Sequence, residues 1–204
     1  SKFTLTSAMG CGLKEHKQAL LNLRSGLGFC DLDFINLDTY IGRVKRIEDS
    51  PMVARLKEFD CRNNRLAQLT LQQDGFEQAV EEAKIRYGPE RIGLFLGTST
   101  SGMLQTEMAY RHRDPVTGDL PKTFNYKETQ NNFSVAAFVK KYLKLEGPAL
   151  VISTACSSSA KVFAEASRFI ESGFCDAAIV GGVDSLCQTT LHGFSSLELV
   201  STKP

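Results

Sequence analysis

Two short apolar runs, Ala149-Leu150-Val151-Ile152-Ser153 and Ala177-Ala178-Ile179-Val180-Gly181-Gly182, flank a segment that reads as a helix from Ser157 to Ser172, closed by Gly173. Strand, helix and strand in roughly 35 residues form a βαβ unit. Such a unit makes its two strands parallel and its crossover right-handed. Strands this continuously apolar are covered on both faces. The chain is therefore α/β. A third run, Arg91–Gly97, lies between breakers and predicts one more buried strand.

The remaining segments are arranged around these strands. A short strand is expected over Phe3–Thr6 and a helix from Lys14 to Arg24, ending at Gly26. Residues 27–50 lack periodicity and read as loop. Leu66, Leu69, Phe76, Val80 and Ala83 recur at helical spacing, predicting one long helix from Arg62 to Tyr87 that Gly88-Pro89 stops. Ser99–Gly102 is a glycine- and hydroxyl-rich turn, residues 111–128 are a polar loop, and a further helix is expected over Asn131–Leu145.

The bulk properties exclude several classes. A net charge of +1 over 204 residues gives no electrostatic reason to expect nucleic acid or an anionic membrane as a partner. No window is apolar for long enough to span a bilayer, and the opening residues do not read as a signal peptide. Six cysteines are present, without a C-x-x-C pair and with only three histidines. That argues against zinc and for reduced thiols in a cytoplasmic protein.

Five of the cysteines read as small core residues. Cys156 has a different setting, in Thr154-Ala155-Cys156-Ser157-Ser158-Ser159, where the strand gives way to the helix. Ligand sites of open parallel sheets lie beyond the carboxyl ends of strands. Backbone N–H groups and the dipole at a helix amino-terminus stabilise a thiolate and can hold an oxyanion. The neighbours are small enough to let a substrate approach. A buried structural cysteine in a serine-rich cap fits the same position, and geometry alone leaves both readings standing.

Resemblance separates them. V-I-S-T-A-C-S-S-S at 151–159 resembles the active-site segment of β-ketoacyl–acyl-carrier-protein synthases. F-D-C-R-N-N-R-L-A at 59–67, L-F-L-G-T-S-T-S-G at 94–102, L-E-G-P-A at 145–149, A-A-I-V-G-G-V-D-S at 177–185 and G-F-S-S-L-E-L-V-S-T at 193–202 resemble other segments of that family, in its order. The match is weakest at 27–55. The resemblance implies a thiolase-like fold of two similar halves, layered α/β/α around a mixed, mostly parallel sheet, with residues 1–204 as a truncated amino-terminal domain. The carboxy-terminal half and the last strand of the first half would lie beyond Pro204. The implied reaction is acyl transfer to Cys156, then decarboxylative condensation with malonyl carrier protein, with decarboxylating histidines in the second half. His16, His112 and His192 match none of these. The implied partners are acyl carrier protein, acyl and malonyl thioesters, and a second copy of the chain, with no cofactor.

Three further expectations concern particular residues. Thr106, just after the glycine-rich turn, is assigned by the resemblance to the acyl pocket. Arg62 and Arg65 share a helical face; a solvated face and a docking site for the acidic carrier protein weigh equally, and Lys140, Lys141 and Lys144 form a less supported cluster of the same kind. Gly181 and Gly182 are expected to permit tight packing below the site. The G-T-S-T-S-G turn lacks the spacing of a nucleotide-binding loop. Competing readings are a coenzyme A thiolase on the same fold, a non-catalytic chain-length partner subunit, which Cys156 argues against, and an α/β domain with a chance cysteine.

Overall fold

A computed structural model describes residues 1–203. Its main sheet has three parallel strands in the order β6 (Ala149–Ile152), β5 (Ile92–Gly97) and β7 (Ala177–Gly182). The βαβ pair of the sequence is therefore parallel but not adjacent: the chain leaves β6, crosses by α6 (Ser158–Glu171), and returns on the far side of β5.

β5 holds the layers together because its alternating side chains serve both faces. Ile92, Leu94 and Leu96 enter the larger core with Phe59, Val135, Phe138 and Leu143. That layer comprises α2 (Arg62–Leu71), α3 (Phe76–Tyr87) and α5 (Ser134–Leu143). Phe95 points the other way, into a smaller core with Val162 and Ala166 of α6, and meets the Phe169 ring edge-on at 5.0 Å. Gly97, on the same face, lets α6 come close: a Cβ there would sit 2.6 Å from the carbonyl carbon of Ser158 and the nitrogen of Ser159. Gly182 of β7 does the same from the other side, where a Cβ would lie 2.7 Å from that of Ser159. The expected tight packing thus holds at Gly182. At Gly181 the nearest such atom is 3.9 Å away.

Several element boundaries differ from expectation. The long helix over 62–87 is two helices, because Asp74 and Gly75 both adopt left-handed backbone, at φ 55° and 68°. Leaving the helix there frees the Asp74 carboxylate to accept the N–H of Leu13 and the hydroxyl of Thr4, which anchors the start of α1 (Leu13–Leu21). α1 ends short of Arg24, where the chain turns through Asn22 and Leu23. The opening strand is shorter and later than expected: β1 (Thr6–Ser7) pairs with β2 (Gly10–Cys11) as a small antiparallel hairpin. Within residues 27–50, β3 (Gly28–Phe29) pairs antiparallel with β4 (Tyr40–Ile41). Two α-helices among the described residues were not anticipated, α4 (Met103–Arg111) and α7 (Gln188–Ser196).

β6 is an edge strand, with Leu150 partly exposed on it. The outer side of α6 carries exposed Phe163 and Ile170, with Phe174 just beyond. No described helix is long and apolar enough to cross a membrane.

Candidate active site

The carboxyl ends of β5, β6 and β7 converge, and each continues into a segment that faces one cavity of about 530 Å³. β5 contributes Ser99 and Thr100, β6 leads to Ala155 and Cys156, and β7 leads to Asp184, Ser185 and Leu186. Val44, Ile47, Leu66, Leu191 and Phe194 complete a largely apolar wall. Cys156 is solvent-exposed, whereas Cys61, Cys175 and Cys187 are buried and Cys11 and Cys30 are partly covered. Burial pushes the thiols of Cys11, Cys61, Cys175 and Cys187 up, Cys61 to about 11.

The turn carrying Cys156 is strained and tightly held. Ala155, immediately before it, has left-handed backbone at φ 52°, which a residue with a Cβ adopts at a cost. Its carbonyl accepts three hydrogen bonds: from the Ser158 hydroxyl at 2.6 Å, the Ser158 N–H at 3.1 Å and the Ser99 hydroxyl at 3.1 Å. The Ser158 oxygen also accepts the N–H of Thr154 at 2.8 Å. Strain of this kind persists only where surrounding bonds fix it, and these bonds aim Cys156. They also use the Ser158 N–H, one of the groups expected to hold an oxyanion.

The floor is a second network. Asp184 Oδ1 accepts the N–H of Ser99 at 2.7 Å and that of Thr100 at 3.0 Å, together with the hydroxyls of Thr98 and Thr100. Thr98 and Thr100 in turn meet buried Asn63 of α2 at 3.4 and 3.5 Å. The glycine-rich turn is therefore a scaffold for the cavity. The sequence had marked its glycines and hydroxyls but not Asp184 or Asn63. A lone Asp after the β7 glycines was the available signal.

The other residues expected at the site are placed differently. Thr106 does not line this cavity. It lies on α4, and its hydroxyl back-bonds to the Gly102 carbonyl at 3.1 Å. Arg62 and Arg65 do not form an open pair. Arg62 turns inward, lines the cavity, and pairs with Glu48, leaving 11% of its side chain exposed. Arg65 binds Asp60 through two nitrogens at 2.5 and 2.8 Å, and that carboxylate raises the guanidinium pKa. His16, His112 and His192 are absent from the cavity wall; His16 is buried, donating from Nδ1 to the Gly12 carbonyl and meeting the Ser7 hydroxyl at 2.8 Å. A second recess of about 540 Å³ near Glu15, Arg24, Arg43 and Arg46 has much of its charge spent internally, Arg43 on Asp31 and Arg46 on Glu15.

Residues 61–204 match the family described as "Beta-ketoacyl synthase, N-terminal domain". The chain belongs to this family. As a β-ketoacyl synthase domain it is similar in structure to a chain of the complex between a ketosynthase (ApeO) and its chain length factor (ApeC) from Xenorhabdus doucetiae. The TM-score is 0.82 and the identity 31%, over 100% of this chain and 51% of that one. It is 35% identical over 112 residues to the non-reducing polyketide synthase pks11 of Talaromyces marneffei, covering 53% of this chain and 4% of the relative. It is 39% identical over 61 residues to 3-oxoacyl-[acyl-carrier-protein] synthase 2 of Rhizobium meliloti, covering 29% of this chain and 14% of the relative. The chain thus spans about half of that solved chain and a small share of the two curated relatives. The three-layered architecture is that of the thiolase-like ketosynthases.

Proposed function

We propose that the protein containing this domain is a 3-oxoacyl-carrier-protein synthase in which Cys156 carries the growing acyl chain. The observation that carries this reading is the position of Cys156. It is an exposed thiol on a strained turn at the convergent ends of three parallel strands, facing an apolar cavity of about 530 Å³. Cys156 Sγ attacks the acyl thioester carbonyl. An Sγ–carbon bond forms, the bond to the carrier sulfur breaks, and the carrier thiol leaves with the proton that the cysteine gives up. Malonyl carrier protein then loses CO2, and its carbanion attacks the acyl carbon. The Sγ–carbon bond breaks and the cysteine regains a proton. The groups that assist decarboxylation are expected outside the described residues, since none of the three histidines lines this cavity.

Acyl carrier protein as donor and a homodimer belong to the same proposal. Arg65 keeps 31% of its side chain exposed and is the better placed of the two arginines for carrier docking. The β6 edge offers a pairing surface for a second copy. Synthase 2 of Rhizobium meliloti is a carrier-protein enzyme by name, while polyketide synthases recur among the relatives, so either pathway fits the domain. A cytoplasmic location is proposed from cysteine usage.

Competitive iodoacetamide labelling of the folded full-length protein, read by peptide mass mapping, tests the nucleophile. Cys156 labels first, and an acyl donor protects it alone. Faster labelling of Cys11 or Cys30 would overturn the assignment.

A further inference from the structure

α7 supplies Thr190, Leu191 and Phe194 to the wall of the Cys156 cavity. The start of this helix is held from outside. Cys187, the residue before it, makes no side-chain cap. The first free N–H groups are met instead by Glu107 of α4, 81 residues earlier in the chain. One carboxylate oxygen accepts the Gln188 N–H at 2.9 Å, and the other accepts the N–H and the hydroxyl of Thr189 at 2.7 and 2.6 Å. One turn further along α4, Arg111 donates to the Gln188 side-chain oxygen and to the Phe34 carbonyl. A cap adjacent in sequence satisfies a helix end. A cap supplied by a second helix also fixes where the first one stands.

α4 is a firm reference for that purpose. It follows the glycine-rich turn, where a Cβ on Gly102 would lie 1.8 Å from the Thr129 carbonyl oxygen, and Asp184 binds the same turn through Thr100. Beyond α7, the Tyr40 N–H and the Thr39 hydroxyl hold the Ser201 carbonyl. Between these two anchors Leu191 packs with Leu32 and Ile41, a contact without direction. The angle at which the start of α7 meets the cavity is therefore left to the Glu107 and Arg111 bonds. Resting on the reading of Cys156 as the acylated residue, we propose that Glu107 is a positioning residue, which fixes the α7 wall of the acyl cavity and so sets how loading depends on chain length. A longer chain covers more of the apolar wall, so its loading depends more on where Leu191 and Phe194 stand. α4 thus acts on the cavity through Glu107, although Thr106 stands outside it.

The test measures loading of the full-length protein from N-acetylcysteamine thioesters of acetate and octanoate, by intact mass with peptide mapping, at a temperature where each variant is folded. In Glu107→Ala the octanoyl-to-acetyl rate ratio should fall roughly tenfold, as lost wall contact over about two methylenes produces, with acetyl loading near native. A general weakening of the fold lowers both rates together and leaves the ratio alone. Adding Cys187→Ser gives α7 a cap of its own without a link to α4; the Cys187 sulfur already lies 3.2 Å from the Thr190 hydroxyl. This double variant should melt higher than Glu107→Ala and keep the low ratio. A native ratio in Glu107→Ala, or its return in the double variant, overturns the proposal and leaves Glu107 as a cap alone. If Glu107→Ala does not fold, Glu107→Gln keeps one acceptor oxygen and should lower the ratio roughly threefold, the effect of about one methylene. A native ratio there, or failure of both variants to fold, overturns the proposal too. An acyl group mapped to a residue other than Cys156 in the native protein would instead sink the underlying reading of the nucleophile.

Discussion

The carboxylate of Asp184 accepts the backbone N–H of Ser99 at 2.7 Å, which ties the end of β7 to the turn that follows β5. The same oxygen takes the Thr100 N–H, so one side chain satisfies two backbone donors and shapes the cavity floor. Asp184→Ala leaves both without their partner. We expect loading of Cys156 to fall at least tenfold, with a stability loss of about 1–3 kcal/mol. Asp184→Asn keeps an oxygen acceptor and should recover most of the rate. Single-turnover loading and urea denaturation check both, and equal defects in the two variants would refute the acceptor role.

Ser158→Ala removes the hydroxyl that joins the Thr154 N–H to the Ala155 carbonyl. Ser158 is buried, so the cost to stability should be about 1–2 kcal/mol. The left-handed Ala155 then loses one of the bonds that hold it. Loading should slow by more than the stability change alone produces at a temperature where the variant is fully folded. Native-like loading at that temperature would mean the strained turn holds without Ser158.

Gly97→Ala places a methyl 2.6 Å from two backbone atoms of α6, which no side-chain rotation relieves. The helix must move, and the expected cost is about 3 kcal/mol or more. Gly181→Ala meets nothing closer than 3.9 Å and should be tolerated. Thermal melts of the pair give the contrast. A mild Gly97→Ala would mean that α6 sits further from β5.

Stability should fall at alkaline pH. Cys61 is raised from 9.0 to about 11 by burial, so the folded state holds this proton where the unfolded chain releases it. The contribution is whole below pH 9 and is lost as pH climbs through 9 towards 11, at about 1.4 kcal/mol per unit. Tyr142, raised from 10.0 to about 12 by burial and by its bond to Glu77, acts the same way at higher pH. Urea midpoints from pH 8 to 10.5 should decline. In Cys61→Ala the decline should be shallower by roughly one proton, and an unchanged slope would count against the assignment.

What was legible in the sequence tracks how local the cause is. The apolar runs of β5, β6 and β7 and the small residues around Cys156 are local signals, and the strands and the turn lie where those signals put them. Asp74-Gly75 was a readable turn signal inside a periodic stretch, and the periodicity of Leu66, Leu69, Phe76 and Val80 masked it. The fate of Arg62 could not be read from spacing. A three-residue interval puts two arginines on one face, but which way that face looks depends on Glu48, distant in sequence and placed by a loop without periodicity. Asp184 is similar, a lone acid whose partners arrive from another strand.

The position of β5 between its neighbours sets an order on assembly. Leu94 pairs with Ala149 on one side and Ile179 on the other, so neither edge of this apolar strand can be satisfied until much later sequence has been made. Contacts of such separation close slowly, and an unpaired run of Ile92 to Gly97 is a hazard for self-association in the interval. Glu90 and Arg91 stand directly before it as charged gatekeepers. Neutralising them should lower the yield of folded protein during synthesis far more than it alters the protein once folded.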